Sequence, residues 1–290
     1  MFKNKVFFGI LLMIAATGFL SSKDGIVKTL LDQVDPVQIL WIQFIGTFVV
    51  IALISLPKHG WAVLRPTSPL RQFVRGALNV SAVTSFFWAL KYIPLADATA
   101  MMMFAPIVVT VMSPFFLGEK IGPLRITAAA FGFCGVLLIL RPGFSGDLTG
   151  YYFGLLSGFL LGFYFIANRK LAGSQHFLLD ITHNAMMGTL ALTPFALLLW
   201  EPVPVSANLK LIIIVGLGVV GQGLMISSFK FAPAAIISPY SYTMLLFAAL
   251  IGYFVFGTVP DPVGWMGIAL IVGSGLYIAH RERRAVQKPG

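Results

Sequence analysis

The chain has 290 residues, of which 58% are apolar and only 10% charged, with a net charge of +10. A soluble domain carries roughly 45–50% apolar and about 25% charged residues, so this much apolar surface must meet hydrocarbon. The composition excludes an ordinary soluble enzyme, and the positive charge reads as attraction to an anionic membrane leaflet rather than to nucleic acid.

A helix needs ~20 apolar residues to cross hydrocarbon. Ten spans are predicted in chain order, over 6–29, 36–56, 72–92, 96–117, 123–140, 151–169, 181–200, 209–230, 234–256 and 262–280. Pro36, Pro57, Pro94, Pro123, Pro142, Pro202, Pro233 and Pro262 fall at or near their boundaries. The opening "MFKNKVFFGILLMIAATGFLSS" has the basic start and apolar run of a secretory signal. Comparable spans follow it, so it is read as a first transmembrane helix that is kept. Cys134 has no partner for an internal disulfide and reads as a small buried thiol.

An even number of spans puts both termini on one side. That side would carry Lys3, Lys5, Lys58, Arg65, Arg71, Arg75, Lys120, Arg125, Arg169, Lys170, Lys230, Arg281, Arg283, Arg284 and Lys288, fifteen basic residues. The other side would carry only Lys23, Lys28, Lys91, Arg141 and Lys210. This bias predicts a multi-pass protein of the inner membrane with both termini cytoplasmic.

The two halves resemble each other. "ALKYIPLADATAMMMFAPIVVTVMSPFFLGEKIGP" lies without gaps over "SFKFAPAAIISPYSYTMLLFAALIGYFVFGTVPDP", pairing Pro94 with Pro233, Gly118 with Gly257 and Pro123 with Pro262. Each half holds five predicted spans, an odd number, so the second copy enters the membrane in the opposite sense. The expected fold is all-α and membrane-integral, with ten transmembrane helices in two inverted five-helix repeats, residues 1–142 and 143–290. Inverted repeats place a binding site near the midplane, between the halves, and suit alternating access.

The first of those segments is similar to the signature of EamA-type transporters of the drug/metabolite transporter superfamily: A-L-x-x-x-P, then A-x-A-T-A, x-x-P and L-G-E. The second half repeats it in weaker form. The resemblance covers nearly the whole chain and implies spans 1, 3, 4, 6, 8 and 9 around a central cavity. Two positions depart from it. Gln43 stands where many members have arginine, and Thr258 follows Gly257 where many repeat the glutamate that is Glu119 in the first half.

Polar residues within the spans are the candidate site, because an ionisable group there costs ~2.5–3.5 kcal/mol on insertion scales. Asp24 either lies at the interface with Lys23, if the first span stops near Ser22, or faces the cavity, if the helix runs on to Lys28. In the second case Lys28, at i+4, can neutralise it. Span 3 carries Asn79, Ser81, Thr84, Ser85 and Trp88, with Ser81, Ser85 and Trp88 on one stripe. These either bond backbone carbonyls and mark the interface or line the path of a solute. In span 9, Pro239 loosens the helix beside Ser238, Tyr240, Ser241 and Tyr242, which makes either a packing kink or a polar, aromatic-tolerant site. Span 6 adds Tyr152, Tyr164 and Asn168, and span 8 adds Gln222, Ser227 and Ser228. His183 and Asn184 read as structural, and Asp97 as a helix-end charge on the positive N-terminus of span 4.

These residues suit a secondary transporter for a small polar metabolite with a flat ring or zwitterionic end, of the kind that riboflavin and S-adenosylmethionine importers carry among relatives. An amino-acid or metabolite exporter is the alternative. A membrane-embedded enzyme or a channel is disfavoured: His59, His176, His183 and His280 are scattered, and no H-E-x-x-H, G-x-S-x-G, P-loop or filter sequence occurs. No cofactor or metal is expected. The partners are the solute and the lipid bilayer, and a homodimer is compatible with the sequence. "GLGVVGQG", Gly216–Gly223, spells a dinucleotide fingerprint. However, the next acid, Asp261, is 43 positions beyond Gly218, too far for a ribose contact. The glycines instead predict a helix pressed closely against neighbours on two faces.

Overall fold

The computed structural model describes residues 2–66, 68–118, 123–140, 148–171, 177–228, 230–231 and 238–286, with some helix-end side chains left out. Among these residues the chain is helical, with no strand. The order is α1 (Phe2–Leu30), α2 (Pro36–His59), a 3-10 turn (Gly60–Leu64), α3 (Pro69–Tyr92), α4 (Leu95–Met102) and α5 (Ala105–Leu117). Then come α6 (Pro123–Leu140), α7 (Thr149–Leu171), α8 (Phe177–Leu198), α9 (Val205–Ser228), a second 3-10 turn (Ser238–Tyr242), α10 (Thr243–Phe256) and α11 (Pro262–Val286).

Local chemistry sets these boundaries. Proline opens α2, α3, α6 and α11, where its missing N–H would have no intrahelical partner. The Asp35 carboxylate accepts from the Val37 N–H at 2.7 Å and caps α2. Gly118 and Gly257 end α5 and α10 in the left-handed conformation, at φ 68° and 64°. Residues that the two halves align thus end two helices in the same way.

Among the described residues six stretches are long and apolar enough to cross a membrane: Lys5–Leu30, Pro36–Pro57, Pro69–Tyr92, Leu95–Leu117, Thr149–Asn168 and Val205–Ser228. Shorter apolar helices cover Ile126–Ile139, Tyr240–Phe256 and Pro262–Tyr277. Large apolar side chains point outward, with Phe115 80% and Phe254 77% exposed. In water such a surface would aggregate, and in a bilayer it is the lipid-facing wall. The expected buried thiol is on this wall: Cys134 is exposed on α6, because the interior of α6 is taken by Val136 and Ile139.

The expected fourth span is not one helix. It breaks at Met103–Phe104, between α4 and α5, where Pro106 has no N–H to give to Met102 and its ring crowds that carbonyl. The ninth breaks at the aligned place, where the 3-10 turn carrying Pro239 hands over to α10 at Thr243.

Contacts fix the relative direction of the paired helices. Trp88 meets Phe153 while Tyr92 packs on Gly150, so α3 and α7 are antiparallel. Lys23 meets Gly218 and Thr29 meets Lys210, so α1 and α9 are antiparallel too. Gly132 opposes Ser274 and Gly135 opposes Ile271, which makes α6 and α11 antiparallel. By contrast α1 runs parallel to α10 (Thr17 on Thr243, Gly25 on Ile251), and α7 runs parallel to the broken α4–α5 unit (Gly154 on Met101, Gly162 on Val108). Exchanging the halves turns the α3–α7 pairing into α9–α1, and α7 on α4–α5 into α1 on the 3-10 turn and α10.

Glycine lets these helices approach closely. Gly150, Gly154, Gly158 and Gly162 form a stripe on α7, and a Cβ on Gly158 would stand 2.5 Å from the Met101 carbonyl oxygen. On α9, Gly221 packs on Leu20 and Gly218 on Lys23, but among the described residues no other part of the protein lies within 4 Å of where a Cβ on Gly216 or Gly223 would stand. The expectation of close neighbours on two faces is therefore corrected: one glycine face of α9 seats α1, and the other faces outward.

Candidate functional site

The interior site is built on α1. The helix does not stop at Ser22 but continues to Leu30, so Lys23 and Asp24 lie inside it, 7% and 2% exposed. The Lys23 ammonium is 2.8 Å from an Asp24 carboxylate oxygen. It also sits 5.7 Å from the centre of the Phe87 ring of α3, and its stem passes Gly218 of α9. A charge pair taken out of water persists only where the partners compensate each other, and here sequence neighbours on adjacent faces do so. The expected Asp24–Lys28 pairing is not what forms: Asp24 pairs with Lys23.

Lys28, half-buried, reaches across to α3 instead. Its ammonium donates to the carbonyls of Leu90 at 2.5 Å and Ile93 at 2.7 Å, two acceptors at the end of α3. It also lies 5.7 Å from the centre of the Phe256 ring at the end of α10. These groups border a pocket of about 330 Å³ lined by Lys28, Thr29, Leu31, Asp32, Leu90, Lys91 and Phe256.

About two turns back from Asp24 along α1, the Thr17 and Thr243 hydroxyls meet at 2.7 Å and join α1 to the second helix break. Beside it, the Tyr242 hydroxyl is buried with no hydrogen-bond partner among the described residues. Its ring is seated on Gly275 of α11, where a Cβ would overlap the hydroxyl.

The other predicted residues are distributed along this core. Ser85 is buried, and its hydroxyl donates to the Ser81 carbonyl at 2.8 Å, a local back-bond. Trp88 stacks on Tyr92 and on Phe153 of α7, with the Lys91 ammonium 5.3 Å from its ring centre. Asn79, Tyr164, Asn168 and Gln222 are half-buried and Tyr240 is exposed. The side chain of Ser238 and the whole of Glu119 lie outside the described residues. Asp97, in the first turn of α4, accepts from the Tyr151 hydroxyl at 3.3 Å. Lys23, Asp24 and the Lys28 cap thus share one helix, while Trp88 belongs to the α3–α7 seam.

Sequence reasoning missed the partnership of Lys23 with Asp24, though adjacency was its signal. It also missed Lys210, which donates to the Thr29 hydroxyl at 3.2 Å beside the pocket. Arg75, counted among the membrane-flanking charges, is only 3% exposed, and Gln72, one turn earlier on α3, is fully buried. Their signal was a polar residue at helical spacing on a helix otherwise facing its neighbours.

A helical chain with apolar outer walls, broken helices and a buried charge pair inside a span defines a multi-pass membrane protein. The profile of the EamA-like transporter family matches twice, at residues 7–141 and 148–279. The chain belongs to that family. It is 31% identical over 82% of its length, and 80% of the relative's, to a protein of Rhizobium johnstonii named riboflavin transporter. It is 25% identical, over 92% of both chains, to a protein of Rickettsia bellii named S-adenosylmethionine uptake transporter. A Pseudomonas aeruginosa protein named pseudopaline exporter is 28% identical over 95% of this chain and 97% of its own. A solved crystal structure superposes with a TM-score of 0.63 at 21% identity, covering 99% of each chain, which supports the fold alone.

Proposed function

We propose that the protein is a secondary transporter that moves a small polar organic metabolite across the inner membrane by alternating access, with import of a riboflavin- or S-adenosylmethionine-like solute as its task. The observation that carries this reading is the buried Lys23–Asp24 pair inside α1, next to two helices broken at aligned positions. Discontinuous helices near a repeat interface are where transporters of this kind hold their solute. The exchangeable helix pairings and the matched Gly118 and Gly257 caps support an inverted repeat of ten spans divided near residue 142. The fifteen-to-five bias of basic residues supports cytoplasmic termini.

The solute path in this reading runs from Tyr240, Tyr242 and Ser238 at the second break, past Asp24 and Gln222, to Lys28 and Trp88. Asn79, Ser85, Tyr164 and Asn168 supply hydrogen-bonding positions on α3 and α7. Asp24 is the acid proposed to carry a proton. The pseudopaline exporter among the relatives favours export as the second reading.

A thermal-shift screen of the purified protein with riboflavin, S-adenosylmethionine and amino acids tests the assignment, because a ligand at 100 times its Kd stabilises by about 2.7 kcal/mol. Selective stabilisation by one compound, followed by its uptake into vesicles, is expected. Uptake of none, with efflux of an amino acid, would reverse the direction.

A further inference from the structure

A membrane protein with cytoplasmic termini keeps its outer side poor in lysine and arginine. Here that side has five basic residues by the orientation argued above. Lys23 is paired within the bundle, and Arg141 lies outside the described residues. The remaining three, Lys28, Lys91 and Lys210, converge on one place. Lys28 and Lys91 line the pocket of about 330 Å³ at the shared end of α1, α3 and α10, and Lys210 reaches its wall through Thr29. Asp32 is the one acid in the lining among the described residues and Asp97 lies near enough to act on Lys28, so three ammonium groups meet two carboxylates and the mouth is net cationic, with Phe256 giving it an apolar side.

Lys28 has a specific geometry for a ligand. An ammonium has three N–H donors. Two are held by the Leu90 and Ile93 carbonyls, which fixes the nitrogen on the pocket wall and ties α1 to the end of α3. The third is left for an acceptor in the pocket. A fixed ammonium with one spare donor, backed by two further cations, is a receptor for a singly bound oxyanion.

We propose that this pocket is the outer recognition site of the transporter and takes a solute through its carboxylate or phosphate oxygens, with an apolar part against Phe256. The oxyanion accepts from Lys28 and from Lys91. Because an anion is a stronger acceptor than a neutral carbonyl, it can beyond the spare donor also draw one from Leu90 or Ile93, and occupancy then loosens the tie between α1 and α3. The inference rests on the transporter reading and on its orientation, and of the two solutes proposed there it fits the S-adenosylmethionine-like one, which carries a carboxylate, and not riboflavin, which carries neither carboxylate nor phosphate.

The test uses the full chain in nanodiscs, with Cys134→Ser and Thr29→Cys providing one thiol in the pocket wall. Labelling rates are compared for an anionic (sulfonatoethyl) and a cationic (trimethylammonioethyl) methanethiosulfonate reagent. The anionic reagent is expected to react at least five-fold faster, benzoate and inorganic phosphate to slow it, and benzylamine to leave it unchanged. Lys28→Met with Lys91→Met is expected to remove both the preference and the protection. Leu31→Cys is a second reporter should Thr29→Cys fail to fold. Equal rates, or a faster cationic reagent, would overturn the site. Protection that depends on anionic lipid and is absent in phosphatidylcholine discs would make the oxyanion a lipid headgroup and also overturn it. The measurement needs no turnover, so the two failures are distinguishable: a charge-selective pocket in a protein that transports nothing would sink the transporter reading and with it the recognition role, leaving only the oxyanion chemistry of the pocket, whereas equal labelling rates in a protein that transports would sink the pocket alone.

Discussion

The same substitution at two glycines should have opposite effects. At Gly158 of α7, an added Cβ would stand 2.5 Å from the Met101 carbonyl oxygen and 3.4 Å from the Phe104 Cβ. Carbon–oxygen contacts begin near 3.3 Å, so α7 and the α4–α5 break must part by about 0.8 Å. Met101 accepts from the Phe104 N–H at 3.1 Å, so the displaced oxygen belongs to the break itself. Overpacking of this kind costs ~1–3 kcal/mol, against a gain of at most ~1 kcal/mol from replacing a helical glycine with alanine. Gly158→Ala should therefore lose about 0.5–2 kcal/mol, a fall in Tm of roughly 2–6 °C for a chain of this size. A Cβ on Gly216 of α9 would meet none of the described residues within 4 Å outside its own helix, so Gly216→Ala keeps only the helix-propensity gain and should raise Tm by about 1–3 °C. Thermal unfolding of the detergent-purified variants, followed by tryptophan fluorescence, measures both. A Gly158→Ala protein as stable as the parent, or a Gly216→Ala protein that falls as far, would refute the assignment of packed and lipid-facing glycine faces.

The remaining predictions follow from the same contacts. Lys23→Met alone should cost ~3–5 kcal/mol, because it strands the buried Asp24 carboxylate, and Lys23→Met with Asp24→Leu should recover most of that in a thermal melt. Asp24→Asn should abolish the pH dependence of uptake into vesicles, and unchanged uptake at every pH would remove Asp24 as the proton carrier. Tyr242→Phe should be neutral or stabilising, since it deletes a buried hydroxyl that has no partner among the described residues, an unmet group costing ~1–3 kcal/mol. Gly275→Ala should destabilise by forcing the Tyr242 ring from its seat, and Tyr242→Phe in that background should restore part of the loss. A reporter fused after Lys288 should be active only in the cytoplasm, and activity outside would overturn the orientation.

Positions where a side chain decides the backbone were legible in the sequence. Prolines marked where helices begin, and the gapless overlay of 89–123 on 228–262 aligned Gly118 with Gly257, which adopt the same left-handed cap. Apolar length announced the spans, although it could not show that the fourth divides at Met103, because the run stays apolar through the break. The candidate site was legible as a set of residues and much less so as a set of partners. Asp24 stood out by its cost in a hydrocarbon span. Periodicity favoured Lys28 as its partner, because i+4 is the usual helical reach, yet Lys28 had stronger claimants in the two open carbonyls at the end of α3. Those acceptors belong to a helix sixty residues away and leave no trace in local sequence.

That exchange of partners bears on how such a transporter opens. A Lys28–Asp24 pair would be a contact within one helix and would survive any rigid movement of α1. The contacts that form instead divide the labour: Lys23–Asp24 is internal to α1, while Lys28 binds α1 to α3, and Thr17 binds α1 to the second helix break. Movement of α1 against α3 therefore leaves the buried ion pair intact, shifting the Lys23 ammonium over the Phe87 ring and exchanging the Lys28 hydrogen bonds at the end of α1. A breaking ion pair in hydrocarbon costs ~3–5 kcal/mol, whereas a neutral carbonyl giving up an ammonium to water or to an anion costs far less. The expensive interaction is kept within α1, and the exchangeable ones are placed at its boundaries, where in the proposed orientation an arriving solute would compete for them.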